Sequence, residues 1–185
     1  MFHRRIVDCI FLIVVMMLGS LGVAVASDNT TTFENGPFTV SLDLGKPCNI
    51  SISKPTQEEL LTGEKYISYG AAVCGLAGVF IWLKRCDKEV LDLNSDLNMD
   101  SITSSLTENL VGRGADKPSI AVNELKIDGK PGAIGEGYKS ELGRSLYYAV
   151  FIVSPRTMCI MFSASDREIM KAAMNTIHVQ EKGYA

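Results

Sequence analysis

The eight residues "LYYAVFIV" at 146–153 carry no charge and put an apolar or aromatic side chain at every position. Successive side chains of a strand point to opposite faces, so a strand of this composition needs cover on both sides. It belongs in the centre of a covered sheet. "FTVSLDL" at 38–44 has a different pattern, with Phe38, Val40, Leu42 and Leu44 alternating with polar residues as in a half-buried strand. After the turn-like "GKP" the pattern resumes in "CNISIS", which predicts a hairpin. "KPTQEELLTGEK" reads as a loop or one helical turn ending at Gly63. "YISYGAAVC", "GLAG" and "VFIWLKRC" follow as strand, turn and strand, and Trp82 is expected in the core of that hairpin.

Two segments repeat at three and four residues. In "MDSITSSLTENLV" the apolar positions are Met99, Ile102, Leu106 and Leu110, with Asn98 as the cap and Gly112 or Gly114 as the stop. Near the end of the chain, Ser165 and Glu168 have the spacing of a capping box. The helix they start carries one stripe of Ile169, Met170, Ala173, Met174 and Ile177. Strands in runs with only two good helices predict an α+β fold, an antiparallel sheet with both helices packed on it.

The amino-terminal segment predicts the compartment. His3, Arg4 and Arg5 precede an apolar run at 6–26 that ends in "AVA", small residues placed for a cut before Ser27. This is the pattern of a secretory signal peptide. The rival is an uncleaved anchor of 21 residues, against which stand Asp8 inside the run and Gly19 and Gly22 near its end. Cleavage leaves 159 of the 185 residues: a polar leader at 27–37, one domain at 38–180 and a short tail at 181–185. Without Arg4, Arg5 and Asp8 the chain has 16 basic and 20 acidic residues, a net charge of −4. An acidic exported domain lacks the basic surface that nucleic acid requires. The only membrane contact expected is through the signal segment, were it retained.

Cys9 lies in the signal, leaving Cys48, Cys74, Cys86 and Cys159. Outside the cytoplasm an even number allows two disulfides, in any of three pairings, or buried thiols that pack as small hydrophobes. With no C-x-x-C pair and His178 as the single mature histidine, no metal site and no cofactor are expected. Asn29-Thr-Thr and Asn49-Ile-Ser are glycosylation acceptor patterns, with occupancy left open.

"GAIGEGYKS" at 132–140 resembles a phosphate loop, but Tyr138 separates Gly137 from Lys139. A phosphate loop also needs a buried strand before it and a helix starting at its lysine. Here "NELKIDGKP" precedes it, with the hairpin dipeptide Asp128-Gly129 and with Pro131 as an interruption. "SELGRSLYYAV" follows, a turn and then strand composition. The segment is expected to be structural. Cys159 with His178 is the one conceivable catalytic pair, but the thiol lies among Met158, Ile160, Met161 and Phe162, surroundings that quieten it. Glu58 with Glu59, and Asp128 with Glu136, read as a solvated turn and a hairpin face.

The order of sheet pairs, mid-chain helix, "IDGKPG" hairpin and closing helix running into "TIHV" resembles a group of small secreted archaeal proteins of unknown function. It is also similar to the PsbP-like fold of extracytoplasmic accessory proteins. The resemblance spans residues 38–179 and implies a two- or three-layer sandwich outside the cytoplasmic membrane. Turn and packing signals carry it, so it transfers no functional residue. The expected function is that of an extracytoplasmic, non-enzymatic binding or accessory module for a cell-surface or extracellular partner. The alternative is a secreted enzyme using Cys159 or His178.

Overall fold

The computed structural model describes residues 29–59, 65–86, 99–164 and 166–182. The expected signal segment, the expected cap Asn98, Gly63, Ser165 and the last residues of the expected tail lie outside them. Four strands come first: β1 Thr30–Asn35, β2 Phe38–Asp43, β3 Ile50–Ile52 and β4 Thr56–Glu59. Strands β5 Lys65–Val73 and β6 Val79–Cys86 precede helix α1 Met99–Gly112. Then come β7 Ala121–Ile127, β8 Lys130–Lys139, β9 Arg144–Ser154 and β10 Thr157–Ser163, and the chain closes with helix α2 Arg167–Thr176 and β11 His178–Glu181.

The strands form two antiparallel sheets. The large one runs β3-β5-β6-β10-β9-β8-β7, with β4 also on β5, and the small one runs β1-β2-β11. The uncharged segment at 146–153 lies in β9, inside the large sheet and covered on both faces, as its composition requires. Phe151 and Ala149 face an inner core shared with Phe38, Val40 and Leu42 of the small sheet. Tyr148 and Val150 face an outer core shared with Leu106 and Leu110 of α1.

This architecture overturns the α+β expectation. Strands occupy more than half of the described residues, and the inner face of the large sheet is covered chiefly by a second sheet. The cause lies at the two ends of the domain. The expected polar leader contains β1, whose Thr31, Phe33 and Asn35 all point inward. Asn35 is accommodated because its Nδ2 donates to the Gly70 carbonyl at 3.2 Å. The tail starts inside β11, which pairs with β2 through Val179 opposite Val40. A loop or one helical turn was also expected where β4 pairs with β5. The hairpin expected of 38–44 with 48–53 does not form, because β2 pairs with β1 and β11 in the small sheet while β3 pairs with β5 in the large one.

Both helices sit where their apolar stripes dictate. In α2, Met170 and Ala173 are fully buried and Ile177, just past the last turn, is 3% exposed. Its cap is Asp166, not Ser165, with Oδ1 accepting from the Glu168 N–H at 2.9 Å. In α1, Leu106 and Leu110 are buried. The helix ends as expected, with Gly114 left-handed at φ 90° and the Ala115 N–H returning to the Leu110 carbonyl at 2.9 Å.

Cys48 and Cys74 form a disulfide across a separation of 26 residues. Cys159 lies on the inner face opposite Leu83 while Cys86 lies on the outer face opposite Tyr66, so these two do not form a second bridge.

Candidate functional site

The glycine-rich stretch is strand β8, and only a three-residue 3-10 turn, Ser140–Leu142, follows Lys139 in place of the α-helix that a phosphate loop needs. Pro131 stands inside the strand, opposite Lys126, and does not interrupt it. The glycines serve packing. A Cβ on Gly135 would stand 2.9 Å from Leu110 Cδ1, and one on Gly137 would stand 2.9 Å from the Ala115 Cβ. Ala133, Gly135 and Gly137 therefore make a flat strip on which α1 rests. Lys139 reaches back over the end of α1, its Nζ donating to the Arg113 carbonyl at 3.1 Å.

That helix end delivers Arg113 to the outer face of the large sheet. Its guanidinium carbon lies 4.0 Å from the Phe162 ring centroid, 5.4 Å from Tyr148 and 5.9 Å from Trp82. The Arg113 Nε is buried and has no hydrogen-bond partner among the described residues. Phe80 stacks on Trp82 at 6.0 Å between centroids, and Phe162 lies between Phe80 and Tyr148. Burial pushes the Tyr148 phenol up, and Arg113 opposes that shift. Strand pairing aligns the group, since Phe80 is opposite Phe162, Trp82 is opposite Ile160, and Phe162 is opposite Tyr148. Trp82 also faces Gly70 on β5, where a Cβ would come within 3.3 Å of the indole. The expected core tryptophan is thus only half buried, on the sheet face that α1 covers in part.

Further along the same face, Lys84 Nζ donates to the Tyr66 hydroxyl at 3.3 Å and sits 4.6 Å above the Tyr66 ring. The Tyr66 hydroxyl in turn donates to Glu58. Burial lowers the Lys84 pKa, with Glu58 opposing. Arg113 and Lys84 consequently bracket a half-buried apolar stretch made by Trp82, Met158 and Ile160.

His178 and Cys159 occupy different environments. Cys159 is fully buried on the inner face, and burial pushes its thiol far up, with Lys130 opposing; it is no source of thiolate in this fold. His178 is exposed at the start of β11, with Nδ1 2.9 Å from Asp128 Oδ1. The other Asp128 oxygen accepts from Lys130 Nζ at 3.0 Å and from the Val179 N–H at 3.2 Å. Burial works to raise the Asp128 pKa, but the bonds from His178, Lys130 and Val179 outweigh it and hold the carboxyl below its ordinary value. Asp128 and Glu136 are not brought together, for Glu136 pairs with Arg167 at 3.3 Å. At the far end of β11, Glu181 accepts from Ser154 and Thr157 and pairs with Arg85 at 3.0 Å. The carboxylates of Asp128 and Glu181 fasten the closing strand of the small sheet to the large one.

Among the described residues no group of three or more His, Cys, Asp or Glu could hold a metal ion. Arg113 was beyond sequence reasoning, because its aromatic partners come from three separate strands. The only local sign was a basic residue between the two glycines of the helix stop. No known protein family, no curated protein and no solved structure matches this chain.

Proposed function

We propose that this chain is an extracytoplasmic, non-enzymatic binding or accessory module that uses the outer face of the large sheet for recognition. The observation that carries the reading is the half-buried aromatic and aliphatic stretch bracketed by Arg113 and Lys84. Aromatic rings and arginine are the side chains most often found where binding energy concentrates. The fitting partner is a cell-surface or extracellular protein whose apolar side chains are flanked by acidic groups. The disulfide agrees with an oxidising compartment, where such bonds persist. The enzymatic alternative falls to His178, whose Nδ1 Asp128 holds, but no nucleophile accompanies it among the described contacts.

Trp82 is the only tryptophan, so its emission reports occupancy of this face. A partner purified from the native extracytoplasmic fraction should shift that emission saturably, and Arg113→Ala should weaken the binding at least tenfold. Equal affinity for wild type and Arg113→Ala would remove the outer face as the recognition surface.

A further inference from the structure

We infer that Asn49 is a site of N-linked glycosylation at the rim of this outer face, an inference that rests on the proposed export of the chain. Asn49-Ile50-Ser51 satisfies the acceptor pattern, which is a weak signal by itself. The fold adds geometry. Ile50 is 6% exposed and points into the inner core, so the alternation of an extended segment turns Asn49 and Ser51 outward together, and both are exposed. The backbone beneath them is fixed, with the Asn49 carbonyl accepting from the Cys74 N–H at 3.0 Å and the neighbouring Cys48 bonded to Cys74. The other acceptor pattern is built differently, because Asn29 is left-handed at φ 56° and the hydroxyl residue, Thr31, is 3% exposed.

The reaction forms a bond from Asn49 Nδ2 to the anomeric carbon of an oligosaccharide carried on a lipid diphosphate. The anomeric carbon–oxygen bond breaks, and the lipid diphosphate leaves as the amide gives up one proton. Ser51 lies opposite Ala72, Ala72 opposite Phe80, and Phe80 opposite Phe162, so one row of the outer face runs from the acceptor to the aromatic cluster. A glycan there would border the recognition face and shield the short strand β3 at the edge of the large sheet.

The test is secretion of the full chain from cultured eukaryotic cells, followed by peptide-N-glycosidase treatment and peptide mapping. The expected result is a glycan on most secreted molecules, seen as conversion of Asn49 to aspartate in the enzyme-treated sample and lost in Ser51→Ala. Secreted protein that begins at Ser27 but carries a bare Asn49 overturns the glycan and leaves export standing. A chain retained inside the cell with residues 1–26 attached overturns both.

Discussion

Phe151 and Val150 are neighbours on one strand, yet they enter cores finished in different ways. Phe151 faces the small sheet and α2, where Phe38, Val40 and Leu42 are completely buried. Val150 faces α1 and an aromatic row in which Phe80 and Trp82 keep part of their surface in solvent. The inner core is closed by interlocking apolar side chains. The outer one is closed on the β8 side and left half covered where Arg113 lies over its rings. Within one sheet, the first face is the fully closed core, and the second is the face on which the proposed recognition rests.

Substitutions on the two faces should therefore diverge, and the largest effect belongs to the inner core. Phe151→Ala removes a fully buried ring and should cost about 3–5 kcal/mol, read as a lower denaturant midpoint. A loss no greater than that of an outer-face variant would erase the distinction. Next comes the disulfide, which closes a 26-residue separation beside the inner core and is worth about 2–4 kcal/mol on loop-closure grounds. Paired Cys48→Ser and Cys74→Ser substitutions should lower the melting temperature by a corresponding amount without changing Trp82 emission in the folded state. A changed emission would show that the staple also shapes the outer face.

Gly135→Val tests the flat strip under α1. The new side chain must displace Leu110, at a cost of about 1–3 kcal/mol, and should shift Trp82 emission because Arg113 moves with the helix end. Full stability with native emission would mean that α1 does not depend on the strip. Trp82→Ala should cost less, about 1–2 kcal/mol for a half-buried ring, while abolishing partner binding. The smallest effect concerns acid. Asp128 is held below its ordinary value, so its contribution is present above the unfolded carboxylate range and fades as the pH falls below about 4. Asp128→Asn should flatten that part of the stability profile; an unchanged acid limb would mean that the closing strand is fastened elsewhere.

The β5–β6 hairpin, the α2 stripe and the Asp128-Gly129 turn were legible because each is local. Both turn residues have positive φ, 54° and 70°, as the dipeptide foretold. The small sheet was not legible for a physical reason. Thr31 and Asn35 read as solvent-facing, but pairing with β2 and a bond to Gly70 satisfy them inside the protein. Strand β11 is only four residues long and follows α2 almost at once, so no periodic pattern had room to develop. The candidate site was less visible still. Trp82 packs against the outer core as its sequence context suggests, but its half-exposed surroundings depend on Gly70, Phe80 and a guanidinium from beyond α1.

The pairing of β11 with β2 also sets an order of assembly. Val40 meets Val179, so the third strand of the small sheet is made long after the first two. Until it emerges, β1 and β2 form a lone two-stranded ribbon, an assembly of marginal stability in water. Strands β9 and β10, in the middle of the large sheet, are themselves made only at 144–163, so the inner core cannot close until the last residues of the domain are in place. A contact between such distant residues slows closure. The native state is therefore completed by the last strand made, and a chain cut short before β11 would leave β2 without its second partner.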